Sequence, residues 1–461
     1  MHVKTLSVVS AVLACLSCTP LLAQSQANPQ GARAQGVDEG DTALLEGLQA
    51  DTFRYFVEQS SPRTGMTRDR STADSPASVA AVGFALSAYP VGVKRGYVTR
   101  EQAAAYTLRT LRFLWQAPQG PGATGVAGYR GLFYHFIDPE TGARAWKCEL
   151  STIDTALLMA GVLFAQQYYT AASPAETEIR QLADKLYRRV DWAWSMGGAP
   201  KVNLGWSPES GFMPYHWGGY NEGMILYLLG LGSPTFPLPD GTWKQWAASY
   251  KTSPGNGAPF VAFGPLFGHQ YSHVWVDFKG LADPAMATLG IDYFENSRRA
   301  TLAHQAYAIA NPKGWTGYSA LNWGLTACDG PGPLKVVVNG TSRDLLGYSE
   351  RGIDNTPDDG TIAPTAALGS LPFAPELVLP TLRHWRQNQP ELFGRYGPYD
   401  SFNASVPGPT KSGWVDKDFL GIDQGPILLM TENYRSRLVW DAMRQSPYLR
   451  RGITRAGLVA R

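Results

Sequence analysis

Past the N-terminus, the 461-residue chain has no run of about eighteen unbroken apolar residues, so no membrane-spanning helix is expected. Charge is scarce as well. Charged residues make up 17%, against about 25% in an average domain. Forty basic and 38 acidic residues leave a formal charge of +2, which argues against nucleic acid or an anionic membrane as partner. Four cysteines are present, and Cys15 and Cys18 lie in the first apolar run. Cys148 and Cys328, roughly 180 residues apart, make no disulfide scaffold; one bridge and two buried thiols both remain open. Also missing are a phosphate-binding glycine loop, a G-x-S-x-G elbow, a dinucleotide fingerprint and a helical zinc-peptidase signature. No cofactor or metal is expected.

What is plentiful is aromatic: 14 Trp and 22 Tyr, with 49 Gly and 33 Pro. Flat amphipathic rings in that number line sugar clefts as well as cores. The N-terminus has the form of an export signal, with Lys4, an apolar core from Leu6 to Cys18 and small residues ahead of Ala23 or Ala27. A lipid-anchored variant at Val12–Cys15 is the weaker alternative, Leu13 being bulky there. The expected division is a signal over 1–27, a disordered leader over 28–41 and one domain over 42–461, the product being periplasmic or secreted and monomeric.

Helical periodicity dominates the rest. Helices are expected at 42–58, 76–89, 99–115, 151–169, 176–196, 220–231, 242–250, 296–310, 374–388 and 424–443. One hairpin is expected around Tyr129–Phe136 and another at Val336–Val338 with the turn Asn339-Gly340. Helices apolar all round (151–169, 220–231) alternate with amphipathic ones (176–196, 242–250), the pattern of an all-α, (α/α)6 toroid with long aromatic loops. Inner helices of such a ring run parallel, so their N-termini share one mouth.

Three acids open apolar helices: Asp154, Glu222 and Asp423. Each has a structural reading, as capping-box partner, dipole-compensating acid and N-cap respectively. Together they suit glycoside hydrolysis, which needs one protonated carboxyl and one carboxylate. A helix N-terminus lowers a carboxyl pKa, so the acid must be desolvated. Glu222, flanked by Tyr215, Trp217 and Tyr220, is the best candidate for it, with those rings, His216 and Asn221 expected to contact substrate. Weaker candidates for sugar contact are His269, Tyr271, His273 and Asp277, then Arg298, Trp323 and Asp329.

The runs ELSTIDTALLMAG, YNEGMILYLLGLGSPT, HQYSHVWVDFKG, DYFENSRRATLAHQAYAIANP, WGLTACDGP, DDGTIAPTAALGSLPFAPE and DFLGIDQGPILLMTENYRS resemble, in order, the bacterial glycoamylase-like domain, which includes secreted β-1,2-glucanases. The resemblance spans about Leu44 to Arg450. It implies the (α/α)6 fold and anomer-inverting hydrolysis of β-1,2-glucan, endo-acting and releasing sophoro-oligosaccharides. Exo release of sophorose and transglycosylation are the alternatives within the family. On the matching positions Glu222 would be the general acid, Asp423 or Asp154 would serve the base side, and Glu149 would contact substrate. Outside that class stand a polysaccharide lyase, with Tyr215 or His216 as base and Arg298 or Arg299 against a uronate, and a non-catalytic glucan-binding protein.

Overall fold

A helix that is apolar all round must be covered on every side, and the fold is laid out around several of these. The computed structural model describes residues 39–460; the expected signal segment and the leader up to residue 38 lie outside them. Residues 39–41, expected to be disordered, begin the first helix, where Asp41 is paired with Arg383 at 2.8 Å. Gly40–Arg461 clusters as one compact unit.

Fifteen α-helices occur among the described residues. They are α1 (Glu39–Glu58), α2 (Val79–Arg95), α3 (Arg100–Gln116), α4 (Thr152–Tyr168), α5 (Pro174–Arg189), α6 (Met224–Gly232), α7 (Thr242–Ala247), α8 (Tyr271–Trp275), α9 (Pro284–Leu289) and α10 (Tyr293–Ala310). They continue with α11 (Pro364–Leu368), α12 (Pro375–Asn388), α13 (Gly421–Ser436), α14 (Leu438–Met443) and α15 (Pro447–Ala456). The apolar helices lie side by side: α2 packs on α4, α4 on α6, α6 on α8, α8 on α13, and α13 returns to α2. All nine residues of α6 are buried. Amphipathic helices cover the ring, α5 against α4 and α15 against α6. Two glycines set the closest approach: a Cβ on Gly161 of α4 would stand 2.1 Å from the Gly83 carbonyl oxygen of α2.

Each expected helix has a counterpart, 424–443 as two (α13 and α14) parted at left-handed Arg437, while α8, α9, α11, α15 and most of the strands go beyond the expectation. Beyond the hairpin at Gly128–Tyr134, a five-stranded antiparallel sheet forms from Gly128–Tyr129, Leu132–Tyr134, Leu150–Ser151, Gly205–Ser207 and Gly211–Phe212. Strands of two and three residues are too short to show alternation in a sequence. The second expected hairpin pairs Leu334–Val338 with Thr341–Leu345. Its turn residues Asn339 and Gly340 are both left-handed, as a two-residue hairpin loop requires. Cys148 and Cys328 are free thiols.

Candidate active site

Strand pairing in that sheet fixes the first pair of polar groups. Leu132–Tyr134 pairs with Leu150–Ser151, so the flanking residues His135 and Glu149 face one another. His135 Nδ1 lies 2.9 Å from Glu149 Oε1, and Nε2 lies 3.7 Å from Asp154 Oδ2. Burial works against the imidazolium, but Asp154 and Glu149 outweigh it and raise its pKa to about 9. The ring is therefore a cation clipped between two acids at neutral pH. Asp154 sits in the first turn of α4, its N–H bonded to the N-cap Ser151 hydroxyl at 3.2 Å, while that hydroxyl donates to its carboxylate. Burial raises its pKa, partly offset by His135 and Ser151.

Glu222 stands in the turn just ahead of α6, not in its first helical turn. The turn is held by Asn221, whose Oδ1 accepts from Gly223 N at 3.0 Å and Trp246 Nε1 at 3.4 Å. Ser272 Oγ on α8 ties down the Glu222 carbonyl at 2.9 Å. The carboxyl shares a cavity of about 210 Å³ with His135, Ile153, Asp154, Leu157, Phe267, Tyr271, Ala327, Tyr348, Glu350 and Ile422. Its Oε2 is buried without a protein partner. Burial, with Glu350 and Asp154 adding repulsion, pushes its pKa up to about 8, so it carries a proton at pH 7. An uncharged carboxyl with one unengaged oxygen is what a proton donor requires.

Behind the cavity lies a second acidic group. Asp423 is in the first turn of α13, whose N-cap is Leu420, so Asp423 does not cap the helix as expected. Burial raises its pKa, the Asp329 and Asp69 carboxylates add to the rise, and the buried Asp400, raised likewise by burial and by Asp423, titrates together with it. Asp423 Oδ2 and Asp400 Oδ1 are both buried without a hydrogen-bond partner. The Asp329 amide donates to Asp400 Oδ2 at 2.6 Å, and Arg70 pairs with Asp329 at 2.9 Å. Among the described residues, two triads bring ligand-type atoms within 4.8 Å of one another: Asp329, Asp400 and Asp416, and His135, Glu149 and Asp154, the latter already filled by the imidazolium charge of His135. Two wider hollows, of about 390 and 430 Å³, lie elsewhere; the first holds a single carboxylate, Asp277, and the second none.

Comparison with known proteins places the chain in a family. The Glycoamylase family model, described as "Putative glucoamylase", matches residues 214–447, half of the chain. The chain belongs to the Glycoamylase family. A crystal structure from Bacteroides uniformis under the same description is 33% identical, with TM-score 0.81, over 91% of this chain and 98% of that one. An endo-β-1,2-glucanase from Chitinophaga pinensis, solved with sophorotriose and glucose, is 27% identical, with TM-score 0.78, over 91% and 99%. An exo β-1,2-glucooligosaccharide sophorohydrolase from Parabacteroides distasonis is 29% identical over 90% of this chain. The chain spans 57% of that protein's length.

Within this family member, several residues expected at the site are committed elsewhere. Tyr220 is 3% exposed and packs on Tyr293, His269 and Trp246, because its ring points into the core rather than to the mouth. The shell that desolvates Glu222 comes instead from Leu157, Phe267 and Tyr271. His269 bonds the Phe263 carbonyl at 3.2 Å, and burial with His304 nearby lowers its pKa to about 3. His273 meets Ser297 Oγ at 3.1 Å in the core. Trp323 is fully buried with its indole on Thr381 Oγ1. Asp277 is taken by Arg437 and Arg444, and Arg298 by Glu376 and the Phe373 carbonyl. Trp217 is half-buried and donates to Thr152 Oγ1 at 2.9 Å, while Tyr215 and His216 stand exposed. Of the expected contacts, Tyr271 lines the cavity, Glu149 reaches it through His135, and Asp329 belongs to the acidic group behind it. Sequence reasoning missed His135, Glu350, Asp400 and Arg70. Only His135, inside the alternating Tyr129–Phe136 run, carried a local signal.

Proposed function

We propose that this protein is an exported glycoside hydrolase that cuts within β-1,2-glucan chains, inverting the anomeric centre. The observation that carries the reading is Glu222: a carboxyl protonated at neutral pH, sharing a narrow cavity with Asp154. The end-to-end match to an endo-β-1,2-glucanase supports the substrate and the internal cut. The ring of α2, α4, α6, α8 and α13, with α11 beside α13, supports the inner layer of an (α/α)6 toroid. Lys4 and the apolar run behind it support export.

In the reaction, Glu222 gives its proton to the glycosidic oxygen as the bond to C1 breaks. A water molecule attacks C1 from the opposite face and loses its proton to a carboxylate. Two groups suit that base side. Asp154 shares the cavity wall and is held by cationic His135; Asp423, beside Asp400, is raised by burial. The base then releases its proton to solvent, and solvent returns one to Glu222. A lyase reading loses its groups, since Arg298 is tied to Glu376 and Arg299 to Glu295 and the Pro259 carbonyl, and Tyr215 and His216 stand exposed away from the cavity lining; none of the named relatives is a lyase.

Incubation with linear β-1,2-glucan beside β-1,3-, β-1,4- and α-1,4-glucans, with product sizing, tests this. A ladder of sophoro-oligosaccharides from β-1,2-glucan alone is expected. Sophorose alone would mean exo action, and products longer than the substrate would mean transglycosylation. Early release of the α-anomer, seen by NMR, is the expected mark of inversion.

A further inference from the structure

The loop between the Phe136–Ile137 and Leu150–Ser151 strands ends in a turn closed by Cys148 N on the Ala145 carbonyl at 3.1 Å. Its central residues, Trp146 (φ 55°) and Lys147 (φ 62°), are both left-handed. Asn and Gly hold such positions readily; a Trp and a Lys do not. Non-glycine residues persist there only when their surroundings impose it, and such positions gather at ligand-binding sites. Arg144 imposes it here. Its side chain is 2% exposed, and its guanidinium bonds the Cys148 carbonyl at 2.6 Å, the Lys147 carbonyl at 2.8 Å and Glu209 at 2.7 Å.

The ring so held has no packing role that accounts for it: Trp146 is 70% exposed. It is also in line with the cavity. Trp146 lies 5.2 Å from the Phe136 ring, and Phe136 stacks on His135 at 3.8 Å and 15°. His135 in turn holds Glu149 and Asp154. We propose that Trp146 is a stacking platform for a glucosyl unit some residues away from the scissile bond, so that it sets how strongly the enzyme depends on chain length. The proposal rests on the glucan-hydrolase reading. An indole face matches the apolar C–H face of a glucose ring, and a turn fixed in advance spares the ordering cost of placing it.

The test uses Trp146→Asn and Trp146→Phe in the full chain, because Asn suits the left-handed turn and removes the ring without undermining the fold. For Trp146→Asn, an unchanged or raised Tm is expected. KM should rise at least tenfold on long oligosaccharides, with kcat and the shortest cleavable substrate within twofold of wild type. Trp146→Phe should recover most of the loss. Wild-type KM at every length, or an equal loss at every length with a lowered Tm, would overturn the platform. If wild type cleaves a different glucan and Trp146→Asn still loses affinity for its long chains, the β-1,2 assignment fails and the platform stands. If β-1,2-glucan is cleaved equally by wild type and variant, the platform fails and the function stands. Wild type that neither binds nor cleaves any of the glucans overturns both.

Discussion

Two opposing influences act on Glu222. The helix start it precedes favours the carboxylate, while burial beside Leu157, Phe267 and Tyr271 favours the acid, and burial wins with a pKa near 8. The folded state therefore holds this proton more tightly than the unfolded chain, whose value is 4.5. Linkage then makes Glu222's contribution to stability fall as pH rises from about 4.5 through 8. Glu222→Gln removes that dependence. Chemical denaturation from pH 4 to 9 should show the variant gaining on wild type as pH rises and levelling off above pH 8; parallel curves would contradict the assignment. Activity should fall as pH rises through about 8, since the acid loses its proton. The neighbour Asn221 acts by position only. Asn221→Ala strands the Gly223 amide and the Trp246 indole, a cost of about 1–3 kcal/mol. Tm should drop and kcat should fall with KM little changed, in thermal melts and steady-state kinetics.

Helices set where these groups stand, and close backbone contact sets where the helices stand. Gly161→Ala would drive a methyl into the Gly83 carbonyl, which cannot move without shifting α2. Overpacking of this kind costs about 1–3 kcal/mol, and the displaced α4 carries Asp154, so activity should fall with stability. Gly47→Ala in α1 meets nothing within 4 Å and should stabilise by roughly 0.5–1 kcal/mol. Equal melting temperatures for the two variants would contradict the packing. The helices were legible in the sequence because a 3.6-residue apolar period over 15 or more residues, as in α5, or an apolar run too long for a buried strand, as in α4, has no competing reading. The sheet was not, because Gly128–Tyr129 and Leu150–Ser151 are strands only through their partners.

At the scale of the whole molecule, the carboxylates of three helix starts were legible because an acid opening an apolar run is conspicuous wherever the chain folds. Their companions were not. His135 reaches Glu149 and Asp154 through strand pairing, while Asp400 and Arg70 come to Asp329 from opposite ends of the chain. The aromatic surplus misled in one respect. Tyr220 and Trp323 have the composition of a sugar cleft, yet each ring is spent on the core, and a sequence does not distinguish the two uses. Trp146, whose exposure depends on a turn held by Arg144, was invisible for the opposite reason. The cavity that joins Glu222, Asp154 and His135 exists only because α4, α6 and α8 bring their N-terminal ends and preceding turns together.

The most direct measurement is the initial rate of oligosaccharide release from linear β-1,2-glucan at pH 7 by wild type and Glu222→Gln, with glucan binding measured on the same preparations. A ladder from wild type, a rate lower by roughly 10²–10⁴ in the variant, and binding retained in both is the predicted result. A variant that releases oligosaccharides at the wild-type rate, or a wild type that leaves β-1,2-glucan uncut while cutting another glucan, would contradict it.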